Sequence, residues 1–343
     1  MIKRILYCFL WSMPLAQAFT VSDCQSHGEP EWFCEYMKTH NREYESKQEA
    51  LARKERVSRA FELRKAHGDV FGLTSKSDHF PKELKSNNAL VYRKHVHLKR
   101  SKGLEHKHLG APQHLSPIDW RNVNGRSYVT SIKDQGECGC CFAFASATVL
   151  EYWSKIDGFP KSLSPQSLMD CTSGSKHPDE GCEGGLMEYV FEYAKRHPVP
   201  LDVDSPYLER TSICPNYQWS HVRVKNYKVL MKEDSPKAES EIEWLLHAYG
   251  PVSVGVDSTS MEHYRGGLFK ASMCSKEIDH AVTIVGYTED AWIIKNSWGP
   301  YWGDEGYLYL ERGKNACGVA EYIVYITDAE PIMKELSTYW WSM

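Results

Sequence analysis

Hydrophobic and polar positions divide the chain into stretches of different period. Residues 5–15 are mostly apolar, follow the basic pair Lys3 and Arg4, and lead into Ala16-Gln17-Ala18. Such a basic, apolar and small-x-small succession predicts a secretory signal over 1–18, and its apolar run is well short of the roughly 20 residues that a membrane-crossing helix needs. In residues 31–40 and 46–66, charged positions alternate with apolar ones at helical spacing, as at Val57, Phe61 and Leu63. Residues 41–45 are the break between these two predicted helices, and Gly68 is the stop signal of the second. Further helices are predicted over 142–155, 186–196 and 239–249, the second opened by Gly184-Gly185 and the third stopped by Gly250-Pro251. Strand patterns follow at 252–256, 281–287, 292–295 and 307–310. A helical half followed by a strand-rich half predicts an α+β body with a cleft between the halves.

Charge sharpens the division. Residues 19–114 hold 18 Lys+Arg against 13 Asp+Glu and nine of the 15 His, whereas residues 115–343 hold 21 against 32. The net charges, +5 and -11, attract each other and place a functional boundary near residue 114. Residues 92–114, with Arg93-Lys94 and Lys99-Arg100, have the composition of an exposed, cleavable linker rather than a nucleic-acid-binding arm. The expected parts are a signal (1–18), a basic helical segment (19–113) and a body (114–343), with the mature start between His108 and Ser116. No other stretch is apolar and long enough to cross a bilayer, so no membrane partner is expected. Entry to the secretory pathway permits disulfides among the ten Cys left once Cys8 departs with the signal. No Asn-x-Ser/Thr acceptor occurs, so N-glycosylation is not expected. Residues 330–343, with Trp340-Trp341, run past the expected end of the fold.

The densest chemistry lies in Gln135-Gly136-Glu137-Cys138-Gly139-Cys140-Cys141-Phe142-Ala143-Phe144. A Cys at a helix start gains from the partial positive charge there, which favours the thiolate. To act in acyl transfer that thiolate needs a proton carrier, for which His280 in Asp279-His280-Ala281-Val282 is the candidate. Asn296, in Lys295-Asn296-Ser297-Trp298-Gly299, is the candidate to orient the imidazole. Cys138, Cys140 and Cys141 lack the second Cys pair of a zinc site, so neither metal nor cofactor is expected.

Gln-x-x-Cys-Gly-x-Cys-x-Ala-Phe, Gly-Cys-x-Gly-Gly, Asp-His-Ala and Lys-Asn-Ser-Trp-Gly, in that order, resemble the papain family of cysteine proteases over about 119–325. The resemblance, rather than the spacing by itself, implies the roles. It implies a papain-like two-subdomain fold, a helical half and a β-barrel-like half with the active-site cleft between them. Cys141 would be the nucleophile and His280 its general base and then acid. Asn296 would hold the imidazole, Trp298 would shield that bond from water, and Gln135 would stabilise the oxyanion together with the Cys141 backbone N–H. Bridges Cys138–Cys182, Cys171–Cys214 and Cys274–Cys317 are implied, and Cys24 and Cys34 are a candidate pair.

Gly184 and Gly185 would line the substrate, and Leu186, Met187, Gly255, Ile278, Ala281 and Tyr322 the second specificity pocket. All of these but Tyr322 are small or apolar and no acidic residue is expected at the pocket floor, which implies a hydrophobic preference. No His-rich insertion of the exopeptidase kind is present, so the resemblance implies an endopeptidase acting on proteins or peptides through a thioester, monomeric when mature, secreted or lysosomal. The basic segment resembles a cathepsin L-like propeptide that inhibits its own enzyme and is released at low pH. It keeps Glu49 and Arg53 but has Ala60 and Arg64 where Asn and Ile are usual, and residues 72–78 keep only their Gly and Asp ends. Cys140 and Phe142 also depart from the family signature. Cys140 is expected to be a buried spare thiol, with a strained Cys140–Cys141 bridge as the alternative. A secreted binding module that kept the fold, or a peptide ligase using the same pair, are the competing readings.

Overall fold

The structure, a computed structural model, describes residues 18–80, 83, 90, 115–155, 158–173, 179–217, 220–231 and 236–332. Most of the expected signal, the linker over 92–114 with its boundary, and the tail from 333 lie outside the described residues.

The chain forms two compact units, divided at Arg59 and Ala60. In the first, helices α1 (Val21–Ser26) and α2 (Glu31–Thr39) are joined by the Cys24–Cys34 disulfide. A capping box opens α1: the Asp23 N–H donates to Thr20 Oγ1 at 3.3 Å and the Thr20 N–H donates to Asp23 Oδ2 at 2.9 Å. Asn41, at φ +50°, turns the chain after α2, and α3 (Lys47–His67) follows within two residues of its predicted bounds. Gly68, at φ +72°, ends α3 in the left-handed conformation that glycine adopts without steric cost.

The second unit holds the α+β body. Its helices are α4 (Cys141–Trp153), α5 (Pro165–Thr172), α6 (Met187–Arg196) and α7 (Pro236–Tyr249). Its strands are β1 (Val222–Met231), β2 (Val252–Val256), β3 (Leu268–Phe269), β4 (His280–Tyr287), β5 (Ala291–Lys295), β6 (Tyr307–Glu311) and β7 (Tyr322–Pro331), in one sheet ordered β1-β7-β2-β4-β5-β6-β3. The sequence did not announce β1, β3, β7 or α5. Strand β7 starts with an unbroken apolar run because both its faces are buried: Tyr322, Val324 and Ile326 enter the core of the helical half, Ile323 and Tyr325 that of the sheet half. Glu330 and Pro331, expected beyond the fold, are the end of this strand.

Helix α4 is apolar on all sides and is buried from Cys141 to Tyr152. It is fastened to the sheet near each end. Ser253 of β2 and Thr283 of β4 are opposite each other in the antiparallel ladder, and their hydroxyls donate to the Ala145 carbonyl at 3.1 and 3.0 Å. Ala145 lies one turn beyond Cys141, and Thr283 lies three residues beyond His280. Near the far end of α4, buried Glu151 accepts from Lys133 Nζ (2.9 Å) and the Leu163 N–H (3.0 Å), and Lys295 at the end of β5 reaches the same group through Thr130. Removing one hydroxyl at the Ala145 clamp by Thr283→Val, which keeps the branched shape, should cost about 1 kcal/mol, and adding Ser253→Ala about 2 kcal/mol in total. The midpoint of denaturant unfolding, followed by tryptophan fluorescence, checks this.

Candidate active site

Cys141 is the first residue of α4, with Cys140 as the N-cap. His280 is the first residue of β4, and Asn296 directly follows β5. Because Thr283 faces Lys295 in the β4–β5 ladder, His280 and Asn296 leave the hairpin at the same end. His280 Nε2 is 2.8 Å from Asn296 Oδ1, and the Ser297 N–H donates to that same oxygen at 2.8 Å. A backbone N–H can only donate, so it fixes Oδ1 as the amide oxygen and makes Nε2 the protonated nitrogen of His280. Nδ1 then carries the lone pair; it is buried and has no hydrogen-bond partner among the described residues. The tautomer is the one that can take a proton.

Trp298 stacks on His280, with ring centroids 5.0 Å apart and planes 30° apart, and itself meets Trp302 edge-on. Its apolar face lies over the imidazole that Asn296 holds. Gln135 is fully buried. Its Nε2 donates to the Cys138 carbonyl at 3.0 Å, its Oε1 accepts from the Ser297 hydroxyl at 2.5 Å, and its own N–H donates to the Ser297 carbonyl at 2.9 Å. Ser297 therefore orients both the His280 partner and Gln135, a role invisible in the motif that contains it. Cys140 and Cys141 are both free thiols. The Tyr207 hydroxyl donates to the Gln135 carbonyl at 2.8 Å, so Cys140 Sγ, 3.0 Å from that hydroxyl, is the donor to it.

Burial dominates the electrostatics. It pushes the Cys141 thiol up to about 12, against backbone hydrogen bonding from Ala281 and Phe142 that lowers it. It pulls His280 down to about 4, against the bond from Asn296 that raises it. The thiolate expected from the helix start is therefore not favoured here: burial raises the thiol and lowers the imidazole, so both groups are held neutral. Cys140 is pushed up still further by burial.

Leu186, Met187, Ile278, Ala281 and Tyr322 pack in one core cluster, with Leu90 of the basic segment among them. The Leu90 N–H donates to the Asp279 carbonyl at 3.0 Å, and Leu90 forms a parallel bridge with Gly185. A Cβ on Gly255 would come within 2.7 Å of Ile278 and 3.2 Å of Leu90 Cδ2 and Tyr322 Cδ1, so a side chain here would displace Ile278 and crowd Leu90. Gly184, at φ +123°, delivers the chain to Gly185. An acid stands behind Tyr322, outside the expected lining. The Tyr322 hydroxyl donates to Glu188 Oε2, and Glu188 is buried. Asp179 lies beside it, accepting from the Leu186 N–H at 2.9 Å and raised by burial to about 8. Cys138–Cys182 and Cys171–Cys214 are disulfides in the helical half and Cys274–Cys317 is one in the sheet half.

Residues 71–79 lie against the same body. The Gly72 N–H donates to the His263 carbonyl at 2.9 Å, Thr74 Oγ1 to the Glu262 carbonyl, and Ser77 Oγ is 3.0 Å from His263 Nδ1. Lys76 Nζ reaches the Gly136 carbonyl at 3.4 Å, and His79 lies between Asp78 (3.2 Å) and Glu137 (2.8 Å). Burial alone would lower His79, but the two carboxylates outweigh it and its pKa ends above the ordinary value.

The chain matches the family model described as papain family cysteine protease over residues 115–327. It is 37% identical over 220 residues to cathepsin F of Drosophila melanogaster, covering 60% of this chain and 34% of that protein. It is 37% identical over 212 residues to a cathepsin L-like proteinase of Fasciola hepatica, covering 59% and 62%. The chain thus spans about a third and under two thirds of these relatives. A digestive procathepsin L2 from Tenebrio molitor larval midgut superposes with a TM-score of 0.74 at 27% identity, over 87% of this chain and 99% of that one. In the full chain at pH 7, Cys141 should react with iodoacetamide less than about a tenth as fast as an ordinary exposed thiol of pKa about 8.5. Peptide mapping of the alkylation time course checks this, and a fast, low-pH reaction at Cys141 would contradict it.

Proposed function

The chain belongs to the papain family of cysteine proteases, and on that premise we propose that it is a cathepsin L-like cysteine endopeptidase made as a zymogen. In this reading the parts are a secretory signal (1–18), an inhibitory propeptide (19–113) and a monomeric peptidase (114–343) that is secreted or lysosomal. Once uncovered, the Cys141 thiol passes its proton to His280 Nδ1 and attacks the carbonyl carbon of the substrate. The C–S bond forms, the oxyanion meets the Gln135 amide and the Cys141 N–H, and His280 returns the proton to the leaving amine. The resulting thioester is hydrolysed by a water that His280 deprotonates, restoring the thiol. Loss of one oxyanion donor typically costs about 2.7–4 kcal/mol of transition-state stabilisation.

The observation that carries this reading is Leu90. A residue of the same chain lies in the proposed second pocket, hydrogen-bonded through its backbone to Asp279 and bridged to Gly185. The site is thus covered by a leucine, which supports both an inhibitory segment and a preference for an aliphatic side chain there. Covering also accounts for the neutral Cys141–His280 pair, because water re-entering the cleft lowers the cost of charging both groups.

The pH response of the cover follows from His79. A histidine raised above its ordinary pKa contributes stability that is fully present below about 6.5 and is lost as pH rises through the raised value. His79 protonation therefore tightens residues 76–79 on the body, the reverse of a histidine-triggered release. Loosening on acidification therefore has to come from groups other than His79.

The acid-processed protein should cleave internal bonds of peptides with Leu just before the acyl-donating residue, and Gln135→Ala should lower kcat/KM about 10²–10³-fold. Mass spectrometry of the products and initial rates check this; single-residue release from chain ends would contradict the endopeptidase reading. His79→Gln should speed self-processing at about pH 5–6, where wild-type His79 is charged, and change little at pH 8. Processing rates followed by gel across that range test it, and slower processing of the variant at pH 5 would overturn the sign.

A further inference from the structure

Glu188 is a buried acid for which the proposed chemistry has no use. It is the second residue of α6 and is 3% exposed. Oε2 accepts the Tyr322 hydroxyl, while Oε1 is buried with no hydrogen-bond partner among the described residues. Its acidic neighbour Asp179 has a buried Oδ2 with no hydrogen-bond partner in good geometry among the described residues. A carboxylate held out of water with one oxygen unsatisfied is costly, and a fold that only needed volume there would fill it with an apolar side chain.

What the arrangement achieves is the placement of a ring. Tyr322 opens β7, and its hydroxyl is drawn back to α6 by Glu188. With that end tethered, the Cδ1 edge faces Gly255 on the side where Leu90 packs. The pocket therefore meets ring carbon, and the acid stands directly behind it.

We propose that Glu188 is a positioning residue that sets the selectivity of this pocket, by holding Tyr322 so that its ring closes the inner end on a branched aliphatic side chain and screens the carboxylate from the substrate. This rests on the reading of the Leu90 site as the second specificity pocket. A cationic side chain is refused because the ring bars its way, not because an acid is lacking. Removing the ring should uncover that latent acid.

The test compares kcat and KM on matched peptides with Leu, Phe or Arg at the position before the acyl donor. Rates are normalised to sites titrated by an irreversible epoxide, so that only folded enzyme counts. Tyr322→Ala should raise the Arg:Leu ratio of kcat/KM about 10–100-fold, mostly through KM, the range of a charge-assisted hydrogen bond in a buried site. Tyr322→Ala/Glu188→Gln should lose that gain. With Tyr322 intact, Glu188→Gln keeps an acceptor for the hydroxyl and should leave the Leu:Phe ratio within about threefold, whereas Glu188→Leu should lower it about tenfold. Equal Arg gains in the single and double variants, or an unmoved Leu:Phe ratio in Glu188→Leu, would overturn the role of Glu188 while a wild-type Leu preference still stood. A wild-type preference for Arg would instead overturn the aliphatic-pocket reading itself.

Discussion

The hydroxyls of Ser253 and Thr283 meet on the carbonyl of Ala145, and the geometry of the site follows from that contact. Cys141 and His280 are 139 residues apart in sequence, one opening a helix and the other a strand. Neither element can place the other's side chain. A helix apolar on every face could settle on the sheet at several heights, since hydrophobic burial is non-directional. Two hydroxyls from paired strands, converging on one carbonyl a turn past Cys141, select one height. The buried Glu151 group does the same near the other end of the helix, through Lys133 and, by way of Thr130, Lys295. Asn296 follows Lys295 directly, so the partner of His280 is fixed by the strand that anchors the helix.

Within that frame the same backbone serves several groups at once. Ser297 gives its N–H to Asn296, its hydroxyl to Gln135 and its carbonyl to the Gln135 N–H. The imidazole tautomer and the Gln135 amide are consequently set together. Burial then determines the charge state. Burial holds the thiol up and the imidazole down while Leu90 and the turn over 76–79 lie on the body, so chemical readiness is linked to exposure of the cleft.

Much of this was legible in sequence, for identifiable reasons. The motifs around Cys141, His280 and Asn296 are local, so their positions at the ends of elements could be read directly, and the helix and strand bounds there shift by only a residue or two. Strand β7 was not legible, because burial on both faces erases the alternation that marks a strand. Glu188 was missed because a glutamate in the first turn of an amphipathic helix reads as a solvated, dipole-matching residue. Its partner Tyr322 is 134 positions away, and only the fold brings them together. The sign of the His79 contact was equally hidden, since it depends on Glu137 arriving from 58 residues downstream.

The central claim is that one neutral, covered Cys141–His280 pair becomes the working nucleophile when the segment bearing Leu90 is removed. The most direct measurement is the rate of labelling by a thiol-reactive epoxide, mapped by mass spectrometry, before and after acid processing, in the wild type and in His280→Ala. The account predicts rapid labelling confined to Cys141, only after processing and only with His280 present. Label on Cys140, or equal labelling of the unprocessed chain or of the His280→Ala variant, would contradict it.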